Sequence, residues 1–147
     1  DMKKRGVKCT SRTYEGIIST AEKAGQFDEA VRLFYEMKDE GLERNTKIYN
    51  SVMWAADRGG HWEHALDLLQ QMEDDGVPRD EVTYAACAWA CEKGARGDKG
   101  LHVLDLMHKE GIAMNVPTYR GVMWACTKVR FECMIFHVTI DDRRQAS

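Results

Sequence analysis

The sequence has no run of about 18 apolar residues, which excludes a membrane-spanning helix, and its N-terminus lacks the apolar core of a secretory signal. It holds five cysteines with no paired framework, a usage that fits a reducing compartment better than a disulfide scaffold. No Gly-rich phosphate loop, zinc-protease helix or nucleophile motif is present, so nothing in the chain argues for catalysis or for a cofactor. A strong charge of either sign is lacking too, since 21 basic and 24 acidic residues leave a formal net charge of −3. Taken as an average, that weighs against a polyanionic partner. What remains is a chain of 147 residues, 44% hydrophobic, with the length and composition of one packed domain.

Recurrence is what the chain has in abundance. Tyr14, Tyr49, Tyr84 and Tyr119 follow one another at an interval of 35 residues. Met37, Met72 and Met107 keep the interval, as do Gly41, Gly76 and Gly111, and the apolar residues Leu42, Val77 and Ile112 behind them. Leu33, Leu68 and Val103 form another column, and Ala30, Ala65 and Gly100 another. The clearest unit runs from Thr46 to Asp80, two amphipathic segments parted by Gly59-Gly60 and closed by Gly76 and Pro78. Two short helices cannot bury their own apolar faces, so neighbouring units must stack into an all-α solenoid with one continuous core and one long concave surface.

Three repeats are expected at residues 11–45, 46–80 and 81–115, and a fourth begins in residues 116–147. Within each, the first helix runs to a basic residue, Lys23, Arg58 or Lys93, and stops at Gly25, Gly59-Gly60 or Gly94. The second starts near Asp28, Glu63 or Asp98, where a carboxylate suits the helix dipole, and ends at Gly41, Gly76 or Gly111. The fourth repeat keeps its first helix from Val116 to Lys128, with Pro117 tolerable in the first turn. Residues 1–10 carry Met2, Gly6 and Val7 in the register of a repeat's end, and no initiating Met. The expectation is a piece of a longer array. Beyond Arg130, Phe131, Met134, Ile135 and Val138 sit at helical spacing and predict a capping helix, while the β-branched Ile135, Val138, Thr139 and Ile140 suit a strand or an extended tail.

The pairs Thr13-Tyr14, Ile48-Tyr49-Asn50, Thr83-Tyr84 and Thr118-Tyr119, each followed by wording like that of Gly25 to Asn45, resemble the pentatricopeptide repeat family. The segment from Ala90 to Ala95 is similar to the helix-turn wording of its organellar members. The tetratricopeptide pattern, with a period of about 34 and its Trp, Gly and Pro positions, is not met. The resemblance implies a right-handed α-solenoid that binds single-stranded RNA in a chloroplast or mitochondrion without catalysis.

It also implies site residues. First helices would line the concave face and second helices the outside. By charge the first helices, at 11–24, 46–58, 81–93 and 116–130, sum to +3, and the second helices, at 27–40, 61–75 and 97–110, sum to −9. A mildly basic groove on an acidic body can focus a polyanion that the net charge would repel. Lys23, Arg58, Lys93 and Lys128 recur at the interval on that face and would hold phosphates, although a cation near a helix C-terminus also complements the dipole. Base reading would use Glu15 with Asn45, Asn50 with Asp80, and Ala85 with Asn115. Only Asn50 with Asp80 matches a usual family pair, the one for uracil. The family's base-clamping aliphatic survives as Val82 alone, replaced elsewhere by Arg12, Lys47 and Pro117. Asn45, Asp80 and Asn115 are equally good helix N-caps.

Trp54, Trp89 and Trp124 form a further column, each four residues beyond Asn50, Ala85 or Arg120 and on nearly the same face. An aromatic ladder beside a basic one would stack bases, anchor a protein partner, or pack first helices together. Cys87 and Cys91 lie one helical turn apart, and Cys91 and Cys126 share their column with Ala21 and Ala56, which points to small buried residues and away from a metal. His61 and His64 flank Trp62 with no convincing ligand set. Two partners therefore stand open: single-stranded RNA, or the subunits of a large organellar complex such as a mitoribosome, a respiratory complex or a photosystem, with this chain as scaffold.

Overall fold

The computed structural model describes residues 9–128. These form seven α-helices: α1 (Ser11–Lys23), α2 (Phe27–Asp39), α3 (Thr46–Gly59), α4 (Trp62–Asp74), α5 (Glu81–Lys93), α6 (Gly97–Lys109) and α7 (Val116–Lys128). The preceding-repeat reading of residues 1–10 falls almost wholly outside the described residues, and the capping-helix and tail readings of 129–147 fall outside them altogether. No described helix is long and apolar enough to cross a membrane.

Each repeat's start is a side-chain cap. Asn45 Oδ1 accepts the Ile48 N–H at 3.0 Å, Asp80 Oδ1 that of Thr83 at 2.9 Å, and Asn115 Oδ1 that of Thr118 at 2.9 Å. These bonds satisfy donors that a helix's first turn leaves without partners. The Met, Gly and apolar columns turn out to be one device at the end of each second helix. Gly41, Gly76 and Gly111 take φ of 68°, 67° and 70°. The next residues, Leu42, Val77 and Ile112, return their N–H groups to the carbonyls of Met37, Met72 and Met107 at 2.9, 2.8 and 3.1 Å. That closure needs a left-handed residue and puts an apolar contact behind it, which explains why the three columns travel together.

The first helices close in the same way, with one correction to the expected glycines. Gly25 and Gly60 are left-handed, but in the third repeat Gly94 is right-handed, at φ −75°, and Ala95 takes the positive φ of 53°. Gly94 is required for another reason: a Cβ there would lie 2.1 Å from Cδ1 of the Trp62 indole. The neighbouring repeat's ring has taken the space.

Packing follows a simple rule. The first helices α1, α3, α5 and α7 pack each on the next, and each second helix packs on its own first helix and on the first helix that follows. Among the described residues, second helices make no comparable contact with one another. A row joined closely along one side and splayed along the other curves toward the joined side, so the first helices line the concave face. Inner-layer helices are covered from several directions, and α5 shows it, with Tyr84, Ala85, Ala86, Cys87, Ala88, Ala90 and Cys91 all buried. The core runs without a break through Ile18, Met37, Tyr49, Met53, Leu68, Met72, Tyr84, Val103 and Met107. The close approach of α6 to α7 uses Gly100, where a Cβ would stand 3.3 Å from Val122.

Candidate nucleic-acid interface

The base-reading positions come together at the N-terminal ends of the first helices, where the cap of one repeat meets the previous first helix. In the second repeat they form a closed network. Asn50 donates from Nδ2 to Asp80 Oδ1 at 3.1 Å, while its Oδ1 accepts from the Thr83 hydroxyl at 2.7 Å. Asp80 Oδ1 also takes the Thr83 N–H, completing a capping box. Burial works to raise the Asp80 carboxyl, but the Thr83 backbone and hydroxyl and the Asn50 amide outweigh it and hold it below the usual carboxylate range. Asn50 is 8% exposed, so its plane is fixed by packing as well as by bonds. Thr83 has no place in the sequence-derived site. The capping-box spacing of Asp80 and Thr83 was the signal that could have found it.

The other registers are built differently. Glu15 is taken by Lys47 at 2.6 Å and by the Asn45 amide, and the Lys47 bond, opposed by partial burial, lowers its carboxyl. Lys47 stands where the clamping aliphatic is expected, so in this register the clamp and reader positions hold each other. Ala85 is buried and offers no polar atom, while Asn115 reaches Glu81 at 3.5 Å. Val82, the one aliphatic in the clamp column, is 45% exposed. Arg120 is exposed and lies over the Trp89 ring, 6.0 Å from its centroid.

The cations line the C-terminal ends of the first helices, and two of them have partners from the preceding repeat. Arg58 pairs with Glu22 at 3.1 Å and also donates to the Lys23 carbonyl at 3.3 Å, and Lys93 pairs with Asp57 at 3.3 Å. Lys23 is exposed, and Lys128 closes α7. Burial raises the Asp57 carboxyl against the opposing effect of Lys93, and its Oδ1 has no hydrogen-bond partner. Glu22 and Asp57 also went unnoticed in the sequence, although they share a column one residue before the cations. Both cationic side chains stay accessible, at 49% for Arg58 and 41% for Lys93.

Trp54 and Trp89 are half-buried at the edge of the core, and Trp124 is 57% exposed. Each is followed one helical turn later by a cation of the ladder, Arg58, Lys93 or Lys128. The cysteine column behaves as small core residues: Cys91 is buried with Ala21 and Ala56, and burial pushes its thiol up to about 12. Cys87 donates to the Ala65 carbonyl at 3.5 Å. His61 stacks on Phe27 at 4.1 Å and His64 meets that ring edge-on at 5.2 Å.

A family model described as the pentatricopeptide repeat domain matches residues 1–58 and 67–129, and one for a single such repeat matches residues 47–77. Among solved structures, the chain is similar to the pentatricopeptide repeat protein PPR10 in complex with an 18-nt psaJ RNA element, at 26% identity and a TM-score of 0.74. That match covers 82% of this chain and 18% of the other, so the chain spans less than a fifth of that relative. PPR10 from maize matches over 99% of this chain and 21% of its own, at 26% identity and a TM-score of 0.67. The pentatricopeptide domain of Arabidopsis thaliana protein-only RNase P 1, in complex with tRNA, shares the fold at 19% identity and a TM-score of 0.66, over 75% of this chain and 58% of that one. Among curated proteins nothing matches the chain.

Proposed function

The chain belongs to the pentatricopeptide repeat family, and from that premise we propose that its concave face binds single-stranded RNA, without catalysis, in organelle gene expression. The observation that carries this reading is the Asn50–Asp80 network. An amide group has two donor hydrogens and two acceptor lone pairs, and Asn50 commits one of each to Asp80 and Thr83. One N–H and one lone pair remain, which complement the adjacent carbonyl and imide N–H of a uracil edge. Asp80 and Thr83 hold the amide, so little ordering is left for binding to impose. Val82, exposed beside the network, supplies the apolar surface that a flat base would rest on. Lys23, Arg58, Lys93 and Lys128 would follow the phosphates along the other end of the first helices.

Among the described residues the registers of Glu15 with Asn45 and of Ala85 with Asn115 lack such a network, so base selection by the first three repeats rests on one position. The test is an affinity series on short single-stranded RNAs that differ only at the nucleotide facing the second repeat. Uracil should bind about five- to tenfold tighter than the other bases, the value of one or two hydrogen bonds, and Asn50→Ala should erase the preference. Equal affinity for all four bases in the wild type would remove the base-reading role.

A second reading, a scaffold subunit of a large organellar complex, draws on the carboxylates that already engage Arg58 and Lys93. Sedimentation of the native protein from organelle extract, with and without ribonuclease, separates the two. Collapse of a large particle on ribonuclease treatment supports RNA, and an indifferent particle supports the scaffold.

A further inference from the structure

Trp54, Trp89 and Trp124 recur at the repeat interval on α3, α5 and α7, helices that pack directly on one another. The column is not an obligatory part of the repeat, because Ser19 fills the same place in α1. The buried positions of α3 and α5 are taken by other side chains, among them Ile48, Tyr49, Val52 and Met53, and Tyr84, Ala86, Cys87 and Ala90. Trp54 and Trp89 are partly buried, Trp54 against the core, and Trp124 is mostly exposed. Among the described residues no ring contact joins one indole of the column to another. From the next repeat the Arg120 guanidinium lies over the Trp89 ring, 6.0 Å from its centroid, and Gly121 packs close to the Trp89 backbone.

The spacing of such a column is set by the helices that carry it. Packed helices run about 8–10 Å apart, and a flat ring lying between two indoles takes about 7–8 Å, twice the optimal carbon–carbon separation. One cation per repeat lies a turn beyond each indole, and Arg120 lies a turn before Trp124. A ring and a cation at every step match a strand of alternating bases and phosphates.

From these placements we infer that Trp54, Trp89 and Trp124 form a stacking track for single-stranded RNA, holding about one unpaired base per repeat whatever its identity. The inference rests on the RNA reading above and deepens it: the track supplies affinity in the registers where Glu15 and Ala85 have no readable edge. It also divides the labour, with Asn50 and Asp80 choosing one base and the indoles holding its neighbours.

The test uses the whole chain and three labelled oligonucleotides of about twelve nucleotides: an oligo(U), an oligo(A), and an oligomer with abasic sites throughout its centre. Trp124→Ala, at an exposed site, should weaken oligo(U) and oligo(A) alike by about five- to 150-fold and leave the abasic oligomer and the salt slope unchanged. Trp89→Phe, which keeps a ring, should show a smaller loss on the same two and serves if the alanine variant loses its helical circular dichroism. Unchanged affinity of both variants overturns the track while leaving the RNA reading in place. So does an equal loss on the abasic oligomer. If the wild-type chain binds none of the three yet sediments in a ribonuclease-resistant particle, the RNA reading fails, and the inference fails with it in favour of a protein partner.

Discussion

Arg44 and Asp75 form an ion pair across the junction of the first two repeats, and the Tyr49 hydroxyl donates to the same carboxylate. Arg44 is almost wholly enclosed, 5% exposed in its side chain, with its guanidinium over the Phe34 ring at 4.4 Å. The next junction repeats the arrangement with Arg79, Glu110 and Tyr84, whose hydroxyl is pushed up to about 12 by burial and by Glu110. The residue just before the closing cap of one repeat thus pairs with the end of the following one, a contact placed to hold the offset between units. At the third junction the arginine's place is taken by Met114, which is 53% exposed.

Arg44→Ala should therefore cost about 2 kcal/mol, the worth of a hydrogen bond to a charged group together with the lost packing over Phe34. Urea unfolding followed by helical circular dichroism measures it. A loss under about 0.5 kcal/mol, the range of ordinary surface changes, would show that the offset is set elsewhere.

Asp80 makes the stability of the second junction depend on acid. Its folded pKa lies below the usual value, so its contribution is fully present above the ordinary carboxylate range and is lost as pH falls through the depressed folded value. Asp80→Asn keeps a good N-cap but cannot titrate. The wild type should lose more stability than this variant between neutral pH and about pH 3. Parallel pH profiles would mean that the network around Asp80 contributes nothing to the linkage.

The helices and the core were legible in the sequence because a repeat writes each of them several times. Tyr, Met, Gly and small residues at one interval fix helix faces and helix ends, and these depend only on neighbours along the chain. Contacts between repeats were harder to see. Arg58 with Glu22, Lys93 with Asp57, and Arg44 with Asp75 each join residues 31 to 36 positions apart. Which of several columns face one another depends on the offset between units, and periodicity does not supply the offset. For the same reason the basic ladder looked freer in the sequence than it is. Asn50 with Asp80 was legible as a pair, and Thr83 was signalled by its capping-box spacing from Asp80, but its bond to Asn50, 33 positions away, was not.

Ala95 is the repeat's one departure from a left-handed glycine, at φ 53° where Gly25 and Gly60 stand in the other units. A side chain in that conformation costs about 1 kcal/mol. Ala95→Gly should recover part of that and raise the unfolding temperature, after subtraction of glycine's greater freedom in the unfolded chain. Gly94→Ala should do the reverse, because its Cβ would fall on the Trp62 ring. Differential scanning calorimetry of the two variants decides it, and a stabilised Gly94→Ala would show that the Trp62 ring moves aside without cost.

Under the RNA reading, Glu22 and Asp57 limit how strongly the groove attracts a polyanion, since each pairs with a cation of the ladder. Their removal acts on two properties with independent signs. The folded pKa of Asp57 is raised by burial, so its charged form is disfavoured in the native state, and stability is gained as pH falls through that raised value. Asp57→Asn should accordingly be at least as stable as the wild type at neutral pH, with the difference closing in acid. The double variant Glu22→Gln, Asp57→Asn releases Arg58 and Lys93 from their ion pairs. Under the RNA reading it should bind single-stranded RNA more tightly and steepen the plot of log affinity against log salt by about 0.7 for each additional phosphate neutralised. Stability and affinity rising together would mean that these carboxylates are kept to limit binding strength. A steeper stability profile with an unchanged salt slope would place Arg58 and Lys93 outside the path of the phosphates and leave them as junction contacts alone.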